Sequence, residues 1–492
     1  MRSFIKSLEL RLSDLFLLLG FIPFAFFLIF TNIFTEHSNP DEIGFKLWMM
    51  IPCFIITLGC WSYYIYLENK QGNLPKRCIS IIFISLAIFG LISILIQPNT
   101  FSISMEVKGV NSINKAIYGD TLQIGDIVNA PLVPMELSGI HYTFFSLDYL
   151  LILLFIYIGL FIFPKRFKSI IFLKYLGYIL FFFAFALILY SYIFEFDKYI
   201  NFFKYLFSSG EEGKLFSHYS VKSFIINQNA YGMFMLISII FALINHAITK
   251  RRFYYIFVGI FFINMLFSYS RTSILISLLL ITIHLVYRLV STYKEYSKRN
   301  LYTSIGIGSL VLLGIVFTII SYASSGTIFS AIYNFTNGFL NQGSMISRFH
   351  IWQNIFQLLN QSPLYYFFGR GFGLSNEMLY QMNVADGDPV SPAHNSFLAV
   401  LLHGGIPLLL VYLAFLAYST YIIIKCFKKN PDLTLSISFG VLAFFLYSFN
   451  EEIQYLIYTM MLPVMILYHV LYLDNPDKET EQTIENQVIT LE

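Results

Sequence analysis

The chain has 492 residues, of which 57% are hydrophobic, 19% aromatic and only 12% charged. Soluble domains carry about 25% charged residues, so a water-soluble globule is excluded and a polytopic membrane protein follows. The net charge of +3 gives no basis for a nucleic-acid partner.

Apolar stretches of roughly 17 to 25 residues suit a membrane-spanning helix. About twelve occur, near 13–33, 46–66, 78–97, 145–164, 169–194, 222–248, 252–269, 271–290, 302–321, 395–424, 433–449 and 454–472. Arg2, Lys6 and Arg11 precede the first, but the run from Leu15 to Phe30 is long and no small-residue cleavage site follows, so an uncleaved helix is expected. The stretches 252–269 and 271–290 nearly touch, which requires a tight hairpin between them.

Lysine and arginine cluster in alternate connections: Lys70, Lys76 and Arg77; Lys165, Arg166 and Lys168; Lys250, Arg251 and Arg252; Lys294, Lys298 and Arg299; Lys425, Lys428 and Lys429. Such clusters mark the cytoplasmic side, and both termini are then expected there. Three long segments fall on the other side. The first, 98–144, alternates polar and apolar residues and suggests a small strand-turn element. The second is 195–221. The third, 322–394, turns amphipathic from Ile346 to Leu359, a pattern that suits a helix lying in the membrane interface. The polar, acidic tail after Asp474 reads as disordered. No internal repeat is visible. Cys53, Cys60, Cys78 and Cys426 show no metal-type spacing and read as small apolar fillers.

The candidate chemistry falls on the non-cytoplasmic side. Arg271, at the tip of the hairpin and flanked by Ser268, Ser270 and Thr272, offers a guanidinium fork and hydroxyls to a phosphate; a snorkelling arginine is the alternative. Asn227 and Asn229 open a span and suit either helix capping or amide contacts to a sugar or phosphate. Arg348 lies on the amphipathic helix, where an exposed cation on a solvated face is the competing account. Arg370 sits in Gly369-Arg-Gly-Phe-Gly373, whose glycines permit a plain tight turn or a close backbone approach to a ligand. His394, followed by Asn395, opens a span and is able to take a proton near neutral pH, as is an ordinary interfacial histidine. His403, before Gly404-Gly405, suits a packed helix residue. Asp386 and Asp388 fit a turn as well as a metal. Three arginines, two asparagines and a histidine on one side are an inventory for transfer from a pyrophosphate-activated donor.

Taken in order, Asn227-Gln-Asn-Ala-Tyr-Gly232, Ser268-Tyr-Ser-Arg-Thr272, Arg348 with Ile351-Trp352, Gly369-Arg-Gly-Phe-Gly373, and Ala393-His-Asn-Ser-Phe-Leu398 followed by His403-Gly-Gly-Ile406 resemble the O-antigen ligase and Wzy-type polysaccharide polymerase superfamily of bacterial inner-membrane glycosyltransferases. The resemblance spans about 222–424. It implies an all-α polytopic membrane protein of GT-C-like plan, with about twelve transmembrane helices and a large extracytoplasmic loop, 322–394. It divides the chain into N-terminal helices (1–221, with an outer loop near 98–144), a ligase- or polymerase-like core (222–424), C-terminal helices (425–473) and a cytoplasmic tail (474–492).

The resemblance further implies a saccharide donor on undecaprenyl pyrophosphate, a glycan acceptor, a membrane-lipid setting and no cofactor. His394 would be the base, and Arg271 and Arg348 would hold the pyrophosphate. Asn227, Asn229, Ser270, Arg370, Asn395 and His403 form the expected substrate-binding set. A polymerase building a capsule, exopolysaccharide or O-antigen chain at the outer face of the cytoplasmic membrane is the favoured reading, with a flippase and a chain-length regulator as partners. A ligase delivering glycan to a lipid, cell-wall or protein acceptor is the first alternative. A flippase or transporter is the second, although transporters place charges near the bilayer midplane and these spans are almost free of ionisable residues. An anchoring membrane protein is a third and leaves the arginines and histidine unexplained.

Overall fold

The computed structural model describes residues 15–17, 19–20, 40–70, 77–166, 169–206, 220–223, 227–293, 343–387, 393–451, 453 and 457–473. The expected span at 302–321 and tail at 474–492 lie outside these residues, as do nearly all of 13–33, the loop positions 322–342 and Asp388. Among the described residues, seven helices are long and apolar enough to cross a membrane, and three shorter apolar helices occupy Ile79–Leu95, Tyr254–Ser268 and Met461–Tyr472. Many of their side chains are apolar and exposed, among them Ile81, Ile82, Phe182, Leu189 and Leu410. Surfaces of this kind are costly in water and suited to lipid, and helices meet the bilayer's demand that backbone polar groups bond internally. The protein is membrane-embedded and mostly helical.

The chain forms two compact units, each drawn from separated stretches. The first comprises residues 1–168, 345–419 and 448–466. It holds α1 (Pro40–Lys70), α2 (Arg77–Leu95), β1 (Thr100–Glu106), α3 (Ser112–Tyr118), β2 (Ile127–Glu136) and α4 (Gly139–Tyr157), which runs on through a π-helical turn at Ile158–Ile162. It also holds α10 (Gly343–Asn360, from Met345), α11 (Pro363–Phe368), α12 (Leu374–Ala385), the first part of α13 (Ser396–Phe427) and most of α15 (Ile457–Tyr468).

The strand-turn element expected in 98–144 is an antiparallel pair, β1 with β2, and the one sheet among the described residues. Its register runs Glu106↔Ile127 to Ile103↔Ala130, then shifts so that Phe101 faces Met135. Pro131 and Pro134 occupy the shifted stretch; proline has no N–H to give to a ladder, so the pairing skips them.

Asp386 fastens this hairpin to the helices. One carboxylate oxygen accepts from Lys108 N (2.9 Å) and the other from Asn354 Nδ2 (3.1 Å). Asn114 Nδ2 adds a bond to Gly109 O (2.7 Å). The carboxylate of Asp386 is buried and occupied by these donors, which accounts for an acid in an apolar setting.

The second unit comprises residues 169–344, 420–447 and 467–492. It holds α5 (Ile170–Phe194), α6 (Phe196–Leu206), α7 (Gln228–Thr249), α8 (Tyr254–Ser268), α9 (Arg271–Tyr293) and most of α14 (Pro431–Ser448). From Met235 to Ile248 every α7 residue is buried. A helix apolar on all sides belongs at the centre of its unit. At one end Asp432 accepts from Lys250 Nζ (2.6 Å), Tyr287 OH (2.9 Å) and Arg288 Nη1 (3.4 Å), tying the end of α7 and α9 to α14.

Candidate active site

Within the first unit, α13 starts at Ser396 because Asn395 caps it. The Asn395 Oδ1 accepts from Phe397 N (3.0 Å) and Leu398 N (3.1 Å), while its Nδ2 donates to Phe449 O (3.4 Å). An asparagine side chain satisfies amides that the first helical turn leaves unpaired. The next residue reaches the same segment: Ser396 Oγ donates to Glu451 O (2.8 Å) and accepts from Ile453 N (2.9 Å). The start of α13 is thereby fixed to residues 449–453.

His394 precedes the cap with φ of 48°, in the left-handed region. For a residue with a Cβ this costs on the order of 1–3 kcal/mol, and its neighbours hold it there. Trp352 Nε1 donates to Ala393 O (3.0 Å), and Asn395 fixes the other side. The bend aims the imidazole at Glu451, whose Oε2 lies 3.2 Å from His394 Nδ1. With Nδ1 donating to a carboxylate, the lone pair of the neutral ring sits on Nε2.

Arg348 completes the group. Its Nη1 donates to Asn450 Oδ1 (3.1 Å) and its Nη2 lies 3.4 Å from Glu451 Oε1. Arg348 and Trp352 stand four residues apart on α10, so one face of that helix addresses both Asn450 and Ala393. The solvated cation weighed for Arg348 is replaced by a paired one. The side chains of Arg348, His394 and Glu451 keep 23%, 21% and 14% of their surface, enough for a ligand to reach them. Glu451 was not assigned a role from the sequence. The available signal was an acid at the end of an apolar stretch on the same side as the loop.

The glycine-rich turn has another job. Gly369, Gly371 and Gly373 take φ of 73°, 80° and 75°. A Cβ on Gly369 would stand 2.7 Å from His403 O, and one on Gly405, at φ 66°, would stand 2.6 Å from Tyr366 O. The turn therefore packs backbone against backbone on the point where α13 breaks, at Gly404–Gly405. The close approach signalled by these glycines is to the protein itself.

Arg370 is enclosed, with 1% of its surface exposed. Its amide donates to Leu402 O (2.6 Å), its guanidinium lies 4.0 Å from the Tyr365 ring centre, and its Nη2 lies 3.3 Å from Met378 Sδ. Burial lowers its pKa, yet a guanidinium stays protonated, so the charge is held on an aromatic face. His403 is also buried; its Nε2 lies 3.1 Å from Asn376 Oδ1 and its ring packs on Phe372.

The remaining candidates belong to the second unit. Asn227 caps α7, accepting from Asn229 N (2.8 Å) and Ala230 N (3.2 Å). The tight hairpin expected between 252–269 and 271–290 is present: Tyr269 takes φ of 53°, and α9 starts at Arg271, whose guanidinium lies 5.6 Å from the Tyr269 ring centre. Ser270 is fully buried, with its Oγ 2.9 Å from Ser273 Oγ and 3.4 Å from Tyr447 OH. Tyr447 OH also donates to Asn229 O (3.1 Å). A Cβ on Gly232 would stand 2.9 Å from Ser270 Oγ, so glycine admits the hairpin tip against α7. Ser270, Asn229 and Tyr447 thus form the hydroxyl and carbonyl network that holds the turn behind Arg271, which is itself half-buried.

Each candidate falls in one of two groups, His394, Arg348, Asn395, Arg370 and His403 in the first unit, and Asn227, Asn229, Ser270 and Arg271 in the second. No curated protein matches the chain. Residues 256–413 match the O-antigen ligase family model, a stretch that includes Ser270, Arg271, Arg348, Arg370, His394, Asn395 and His403 but neither Asn227, Asn229 nor Glu451.

Proposed function

With an O-antigen ligase segment at residues 256–413 as the premise, we propose that the protein is a glycosyltransferase that joins undecaprenyl-pyrophosphate-linked repeat units into a polysaccharide at the outer face of the cytoplasmic membrane. The contact that carries this reading is the carboxylate of Glu451 set between His394 and Arg348. A sugar hydroxyl is a weak nucleophile. His394 Nε2 takes its proton as the oxygen bonds to the anomeric carbon of the donor. The bond from that carbon to the pyrophosphate breaks, and the electron pair leaves with the polyprenyl pyrophosphate. Glu451 stabilises the imidazolium formed, as a carboxylate behind a catalytic histidine does. Arg348 supplies positive charge for the leaving group, and Arg271, in the second unit, is the other arginine proposed to bind pyrophosphate.

Residues 222–424 form the functional core of this reading, within a fold of about twelve spans and with both termini cytoplasmic. The description of the matched family favours a second reading, transfer of finished glycan to a different acceptor. Purified protein given a lipid-pyrophosphate donor decides between them. A ladder of repeat units identifies a polymerase, a single capping transfer identifies a ligase, and no donor consumption with any acceptor contradicts both.

A further inference from the structure

In the second unit α5 ends at Glu195, whose backbone leaves the helical region at φ −126° and ψ 23°, and α6 begins one residue later. The bend is fastened. Glu195 Oε2 accepts from Ser223 N (2.8 Å) and Lys222 N (3.2 Å), its Oε1 pairs with Lys198, and Ser223 Oγ donates to Leu187 O (2.9 Å). α6 has 11 residues, about 16 Å of helix, half of what a bilayer core of about 30 Å requires. Its side chains sort onto three faces. Tyr199 and Phe202 are buried, Phe196 and Ile200 expose 55% and 41% of their surface, and Asp197 and Asn201 carry a polar side. The exposed apolar pair follows directly on Ile193 and Phe194, which are exposed at the end of α5, a helix long and apolar enough to cross the membrane. Lipid covering the end of α5 therefore extends over Phe196 and Ile200, while Asp197 and Asn201 keep α6 out of the hydrocarbon core.

The buried face of α6 reaches the Arg271 hairpin. The rings of Tyr199 and Phe202 stand 4.7 and 5.3 Å from the Phe267 ring in the last turn of α8, and Tyr199 stacks on Tyr192 at 4.5 Å. Phe267 O accepts from Val221 N (3.0 Å), next to the residues that Glu195 holds. Phe267 stands two residues before Tyr269, where the chain turns into Arg271. We propose that α6 is a membrane-surface helix, with Phe196 and Ile200 set into the headgroup boundary, and that Tyr199 and Phe202 hold the Arg271 hairpin at that level as positioning residues. The phosphates of a lipid-linked ligand lie at the same level, so a hairpin fixed there meets them directly. The consequence for Arg271 rests on the glycosyl-transfer reading, and the seating of α6 does not.

Nitroxide labels test the seating without turnover, on the full chain in phosphatidylglycerol nanodiscs with its four cysteines replaced by alanine and Phe196→Cys, Asp197→Cys, Ile200→Cys or Asn201→Cys introduced singly. Labels at 196 and 200 should be reached by oxygen and shielded from a water-soluble nickel chelate, with the reverse at 197 and 201. One pattern at all four positions, or shielding from both reagents at 196 and 200 by a protein cover, overturns the inference. Should the cysteine-free chain fail to fold, wild type irradiated with a phospholipid carrying a diazirine beside its glycerol decides, by label or its absence on the peptide with Phe196–Ile200. Phe196→Asp combined with Ile200→Asp should raise KM about tenfold for a long-chain donor in the bilayer, leaving kcat and the KM of a soluble donor analogue near wild type. Phe196→Leu combined with Ile200→Leu should behave as wild type. Equal loss on both donors, or no change on either, overturns the positioning role. Labels seated as expected on a chain that transfers no sugar keep α6 at the interface and contradict the glycosyl-transfer reading, and with it the role given to Arg271.

Discussion

His394 and Arg348 share one carboxylate: Glu451 Oε2 lies 3.2 Å from the histidine Nδ1 and Glu451 Oε1 lies 3.4 Å from the arginine Nη2. Partly exposed pairs of this kind contribute about 0.2–1 kcal/mol to stability, too little to explain a strained histidine backbone beside them. The arrangement orients the imidazole and the guanidinium, which is what the proposed transfer requires of them.

Glu451→Gln keeps the shape and removes the charge. Turnover should fall by about 10²-fold or more, by analogy with loss of the carboxylate behind a catalytic histidine, while thermal stability in detergent stays near wild type. Wild-type turnover in this variant contradicts a role for Glu451.

Arg348→Lys keeps a cation but loses the planar fork that reaches Asn450 and Glu451 together. Donor KM should rise and kcat should fall, with Arg348→Ala more severe. Steady-state kinetics with a soluble donor analogue measures both, and kinetics equal to wild type in Arg348→Lys contradicts the forked contact.

Gly405→Ala places a Cβ against Phe367 and Tyr366 backbone at a positive φ. The expected cost is about 1–3 kcal/mol, read as a lower melting temperature, with Gly369→Ala behaving alike. Gly59→Ala, where no atom stands within reach of the new Cβ, should be near neutral.

Tyr447→Phe removes the hydroxyl that joins Ser270, Ser273 and Asn229. A loss of about 1 kcal/mol is expected. In a double-mutant cycle with Ser270→Ala the two losses should not add, because both variants break the same network. Additive losses show that the network is not shared.

The helices were legible because a bilayer demands long apolar runs, and the strand-turn element because its polarity alternates. The cap at Asn227 could be read from an asparagine before an apolar run. Gly369-Arg-Gly-Phe-Gly373 announced a close approach but not its target, since His403 and Gly405 lie more than thirty residues on. Arg370 looked available for the same reason, yet it is sealed against Tyr365 and Met378. Glu451 was out of reach because its partners come from α10 and from the start of α13, and periodicity does not report contacts across such separations.

The account stands most directly on His394. Donor consumption by purified His394→Ala, set beside wild type and with folding checked by thermal unfolding, should fall by about 10²–10⁴-fold while undecaprenyl phosphate still binds. Turnover within a few-fold of wild type in a folded His394→Ala protein would contradict the assignment of the base and the mechanism built on it.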